Sequence, residues 1–88
     1  MRFTGFDWDD RNIEHIARHG LGPHEVEGVC RGRHLILRGR HGCYAVYGRT
    51  GEGRLLFIVL RRFEGGVARV ITARDMTINE RRFYQRRH

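Results

Sequence analysis

His15 and His19 lie one helical turn apart in N-I-E-H-I-A-R-H-G, residues 12–20, and on a helix they share a sector with Asn12. Two imidazoles at that spacing suit two chemistries. The first is metal ligation, but H-I-A-R-H lacks the glutamate of the H-E-x-x-H zinc motif. The second is proton transfer, since imidazole is the side chain that changes charge near neutral pH. The sector borders the apolar edge formed by Ile13 and Ile16, where a helix passes from core to solvent. A capping role for His19 at the carbonyl end of that helix stands open beside the catalytic one.

Other residue types narrow the chemistry. Cys30, His34, His41 and Cys43 are metal-ligand types, but their C-x3-H-x6-H-x-C order fits no standard structural zinc spacing. Both cysteines also fall where core side chains are expected. The segment Gly48-Arg49-Thr50-Gly51-Glu52-Gly53-Arg54 is glycine-rich, yet it lacks the G-K-[ST] of a phosphate-binding P-loop and joins two strand patterns. It reads as a hairpin turn that brings Arg49 and Arg54 together as a phosphate fork. The chain has no serine, and neither cysteine has a base beside it, which disfavours nucleophilic hydrolysis. Histidine, tyrosine and arginine are the set that metal-free RNA cleavage uses. A base takes the 2′-OH proton, guanidiniums stabilise charge on the phosphate, and an acid protonates the leaving 5′-oxygen.

Charge points the same way. The 88 residues carry a net charge of +7, and all 17 basic residues are arginine. Residues 1–30 hold three Arg against six Asp/Glu, a local −3, whereas residues 31–88 hold fourteen Arg against four acids, a local +10. A preference for Arg codons accounts for missing lysine but not for that skew. A body of this sign meets a polyanion or an acidic protein surface.

The elements that must position these groups follow from pattern. Asp9 is an N-cap for a first helix carrying Ile13, Ile16 and Ala17, and Gly20 closes it. Pro23 opens a second helix, with Leu21 stapled to Val26 and an apolar stripe of Val26, Val29 and Cys30 ending at Gly32. Strands are expected at His34–Arg38, Cys43–Arg49, Leu55–Arg61 and Val67–Arg74, the last after a turn at 64–66. Leu55–Arg61 is apolar on both faces and should be central. Thr77 and Glu80 form a capping box for a final helix. The class is α+β: two N-terminal helices, a four-stranded antiparallel sheet and a C-terminal helix, the helices against one face. One small domain is expected. With no apolar signal region and no membrane-length run, the chain is expected to be cytoplasmic with reduced thiols.

Three separated motifs then carry a resemblance. F-D-W-D…N-x-x-H-I-A-R-H-G at 6–20, Y-x-V-x-G-R-T-x-x-G-R-L-L-F-I-V at 44–59 and V-I-T-A-R-D-M-T-x-x-E-R-R-x-Y at 70–84 resemble the BrnT toxins, also called DUF497 proteins. The resemblance implies a fold similar to the RelE-type ribonucleases and the toxin half of a type II toxin–antitoxin pair. It also implies no cofactor. Its partners would be RNA and a BrnA-like ribbon-helix-helix antitoxin, in a homodimer or a toxin–antitoxin hetero-oligomer.

Carried over by position, the resemblance implies catalytic roles for His19, Arg54, Arg74 and Tyr84. RNA contacts are expected for Arg18 and Arg81, which the resemblance covers, and for His15, Arg49 and Arg82, read from the residues themselves. Two departures shape this set. Arg18 stands where the family usually has lysine, and a guanidinium stays protonated, so the base falls to His19 on chemical grounds. Gly42-Cys43 stands where a Glu-Arg pair is usual, which removes one carboxylate. In the last helix Arg81, Arg82, Arg86 and Arg87 point to nearly all sides. Arg74, Arg81 and Tyr84 are therefore expected to touch RNA or the antitoxin, and Arg86 and Arg87 to act through long-range attraction.

Overall fold

A computed structural model describes residues 1–87. Its elements are β1 (Gly5–Phe6), α1 (Asp10–Ala17), α2 (Pro23–Arg31), β2 (His34–Arg38), β3 (Cys43–Arg49), β4 (Leu55–Arg62), β5 (Val67–Asp75) and α3 (Ile78–Arg87). The class is α+β as expected, but the sheet has five strands in the order β1-β5-β4-β3-β2. The expected four-stranded antiparallel sheet is corrected by β1, which pairs parallel to β5 through Gly5–Val67 and Phe6–Ala68. A two-residue strand has no alternation to reveal it in sequence. β4 is central, and its Leu56, Ile58 and Leu60 are fully buried. Among the described residues, no helix is long and apolar enough to cross a membrane.

Local chemistry explains the helix ends. Asp9 caps α1 by accepting from Asn12 N–H, while the Asn12 side chain accepts from Asp9 N–H, a reciprocal box. The helix closes in a Schellman turn: Leu21 N–H donates to Ile16 O, Gly20 N–H donates to Ala17 O, and Gly20 takes φ +70°. Glu25 reaches back to accept from Gly22 N–H at the start of α2. Thr77 and Glu80 form the expected box ahead of α3. Residues 64–66 form a 3-10 turn with left-handed Gly65 and Gly66.

α1 and α2 cover one face of the sheet, burying Ile16, Leu21, Val26, Val29 and Cys30 against Val46, Ile58 and Val70. The α1 stripe differs from the expected one. Ile13 is exposed, and Asn12 takes the inward position beside Ile16. Gly48 sits where α2 crosses β3, and a Cβ there would lie 2.6 Å from Val29 Cγ1. Gly48→Ala is therefore expected to destabilise by about 1–3 kcal/mol through overpacking. A urea midpoint unchanged from wild type would show that α2 can move away.

α3 does not join α1 and α2. Its Phe83 ring lies 5.1 Å from Tyr47, which packs 5.2 Å from Phe57. Tyr47 and Phe57 alternate with the inward Val46, Gly48, Leu56 and Ile58, so α3 covers the opposite face. The expectation of helices on one face is corrected here: Phe83 and Tyr84 are adjacent and form no 3.6-residue stripe that would reveal which face they cover.

Candidate functional site

The C-terminal end of α1, the start of β4 and the end of β5 converge on one guanidinium. Arg54 donates from Nε to Asp75 Oδ1 at 2.6 Å and from Nη2 to Oδ2 at 3.2 Å. It also donates to two α1-terminal carbonyls, Gly20 O at 2.9 Å and His19 O at 2.6 Å. A helix end leaves carbonyls without partners and carries partial negative charge, so a cation is favoured there. Arg54 thus ties the His19 backbone to β5 and has little donor capacity left for a phosphate.

His19 itself is exposed, and its ring stands edge-on to His15 with centroids 6.3 Å apart. His15 is half-buried and hydrogen-bonded through Nε2 to Thr72 Oγ1 at 3.1 Å. Among the described residues, the His19 ring has no hydrogen-bond partner. Asp75 connects the cluster electrostatically. Its carboxyl is held below the usual aspartate range, chiefly by the Arg54 hydrogen bond, with further help from the charges of Arg54, Arg81 and His19. His15, His19, Arg54 and Asp75 are therefore brought to one corner of the molecule, with Arg81 near enough for its charge to act on Asp75.

Arg74 lies next to this corner but turns to the opposite face of the sheet. It makes a two-pronged pair with Glu80, at 2.7 and 3.0 Å, and its guanidinium lies over Phe57 at 4.4 Å. A third donor interaction reaches Asp75 O at 3.1 Å. The pair fastens α3 to β5. Burial of the Phe57 and Tyr47 rings around it reduces screening by water, so the pair is stronger than an ion pair on open surface.

The Arg74 hydrogen bonds hold Glu80 below the usual glutamate range, and the Thr77 amide adds to this. Asp9 is lowered too, mainly by its bond from Asn12 N–H. Carboxyls that are more acidic folded than unfolded add stability above their unfolded values, and that stability is lost as pH falls through the folded values. Melting temperature should therefore hold from neutral pH to about 5 and drop below about 4, the usual carboxyl range. Glu80→Gln should flatten the drop in circular dichroism melts. An equally steep drop in that variant would exclude Glu80 as a source.

Tyr84 and Arg49 lie elsewhere. Tyr84 is 4 % exposed and lines a cleft of about 630 Å³ together with Arg33, Arg49, Leu55 and the β3–β4 turn. Arg49 folds over Gly53 in that cleft, whereas Arg54 turns to Gly20 and Asp75. The expected Arg49–Arg54 fork is thereby corrected: adjacent strand ends send the two guanidiniums to different partners. Arg18 is exposed beside His19, and Arg82 is exposed on α3. Arg69 pairs with both Asp7 and Asp9 at the start of α1.

No known protein family and no curated protein matches this chain.

Sequence reasoning missed Asp75, Glu80 as an arginine partner, and Arg33. Glu80 had a readable signal, six residues from its partner Arg74, whereas Asp75 had none, because its partner Arg54 lies 21 residues away. Arg33 had none. Cys30 is buried in the core, where desolvation pushes its thiol up to about 12, so it is an unreactive core residue.

Proposed function

We propose that this chain is a metal-independent endoribonuclease that cuts RNA and so inhibits translation, the toxin of a type II pair of the BrnT kind. The observation that carries the reading is the exposed His19 imidazole beside His15, its backbone gripped by the Arg54–Asp75 clamp. His19 takes the proton from a ribose 2′-OH, and the oxygen attacks the adjacent phosphorus. The bond to the 5′-oxygen breaks, leaving a 2′,3′-cyclic phosphate, and that oxygen accepts a proton from a second acid. His15 is the group placed to give it, while Arg81 and Arg18 face the phosphate charge. Arg54 positions His19 and does not touch the substrate. The partner that restrains the toxin is a ribbon-helix-helix antitoxin, and the arginine-rich surface suits an acidic segment of it.

A second reading has its own observation. Arg54 and Arg74, the two arginines expected in catalysis, both have carboxylate partners. A module of the same fold that binds RNA or antitoxin without cutting would tolerate this. Incubation with RNA in EDTA separates the two. Cleavage giving cyclic-phosphate and 5′-hydroxyl ends supports the first; RNA retained but uncut under all conditions supports the second.

A further inference from the structure

The cleft at the β3–β4 turn takes no part in the His19 chemistry, yet its lining has the features of a binding site. Arg33, from the α2–β2 connection, and Arg49, at the end of β3, both border it. Among the described residues, neither makes an ion pair or a side-chain hydrogen bond, in contrast to Arg54 and Arg74. Two guanidiniums left beside a concave wall are poised for an anion that two forks can share.

The turn adds a donor. Thr50 N–H and Gly53 N–H are used inside the turn, and Arg54 N–H donates to Thr50 Oγ1. Among the described residues, the amide of Gly51, which borders the cleft, has no acceptor. An unpaired turn amide is a donor available to an anion. Glu52 lines an adjoining groove with His24 and Glu25 and not the cleft itself.

The remaining lining is apolar. Leu55 and the nearly buried Tyr84 supply its apolar floor, and Gln85 adds an amide to the lining. Gly28 forms the α2 wall without a side chain, and a Cβ added there would meet nothing within 4 Å. The volume falls in the ordinary range for small-ligand sites, roughly 300–1,000 Å³. A bare phosphate would leave the floor and the amide unused. A phosphate ester bearing an aromatic base would use all three.

We propose that this cleft is a nucleotide site, holding a phosphate between Arg33, Arg49 and the Gly51 amide, with the base against Leu55 and Tyr84. The same chemistry is presented by a free mononucleotide and by one unit of an RNA strand. The site works by binding alone, so it stands whether or not the protein cuts RNA.

Calorimetric titration with the four 5′-mononucleotides, inorganic phosphate and a short single-stranded RNA tests it. Wild type is expected to bind at least one mononucleotide about tenfold or more tighter than inorganic phosphate, the apolar floor supplying the difference. Arg33→Ala and Arg49→Ala should each weaken that mononucleotide about tenfold or more. Gly28→Leu should block the cleft without changing charge, and at an exposed helical position leucine is a better helix former than glycine, so the fold is kept. Arg38→Ala, at the far end of β2, should leave mononucleotide binding unchanged.

Loss of RNA affinity alongside nucleotide affinity in Gly28→Leu assigns the site to an RNA strand. Unchanged RNA affinity assigns it to free nucleotides. Equal affinity for phosphate and all nucleotides would overturn the proposal. So would full binding by Gly28→Leu, or an equal loss in Arg38→Ala.

Discussion

His19→Ala should slow RNA cleavage by about 10²–10⁴-fold, the usual contribution of a positioned general base, with the melting temperature left where wild type has it. The second half of the result matters as much as the first. The His19 side chain is exposed and its ring has no hydrogen-bond partner among the described residues, so removing the imidazole takes only an edge contact with His15 and a minor charge effect on Asp75. Only its backbone carbonyl is used, by Arg54, and alanine keeps that. Arg54→Ala should behave differently. It frees the His19 and Gly20 carbonyls and leaves Asp75 without its partner, so rate and melting temperature should fall together. Arg54→Lys should recover part of the stability, since an ammonium can meet one of the three acceptors but cannot span them. Rates in EDTA beside circular dichroism melts check all three variants. Wild-type cleavage by His19→Ala would remove the proposed base, whatever the arginine variants do.

That contrast shows what could be read in the sequence and what could not. Caps were legible because they are local: Asp9, Gly20, Pro23 and the Thr77–Glu80 pair each act within a few residues. β4 was legible as the central strand because it is apolar on both faces. β1 was not, since it exists through a two-residue pairing with a strand some sixty positions away. Which face α3 covers depends on Phe83 meeting Tyr47, a contact that no periodicity within α3 encodes. The site shows the same division. His15 and His19 came together because one helix carries both. The roles of the arginines did not follow from their positions, because an arginine's partner is set by tertiary geometry. Arg54 and Arg49 flank one turn, yet one grips a helix end and the other borders a cleft.

Asn12 is where this limit has the largest consequence for stability. A polar residue in the helical sector of an apolar stripe reads as a boundary position, but Asn12 is 4 % exposed. Its amide donates to Asp7 O at 3.0 Å and to Val70 O at 3.3 Å, and its oxygen accepts from Asp9 N–H at 2.8 Å. One side chain thus joins the segment after β1, the cap of α1 and the middle of β5. Asn12→Leu has nearly the same size but makes none of these bonds. It leaves a buried carbonyl and the cap amide without partners, each such group costing about 1–3 kcal/mol. Added apolar burial offsets part of this, so a net loss of about 2–4 kcal/mol is expected, large against the roughly 5–15 kcal/mol that holds a small domain folded. Asn12→Asp should be as damaging, because a carboxylate cannot donate to the two carbonyls and adds charge beside Asp9. Urea unfolding followed by far-UV circular dichroism gives the value, and a loss under about 1 kcal/mol would mean that water replaces the amide. The effect reaches function through α1. The helix carries His15 and is followed directly by His19, so loosening its tie to Val70 should lower cleavage in the fraction that stays folded. In His19→Ala the rate falls alone; in Asn12→Leu it should fall with stability, because the base is present but no longer held in place.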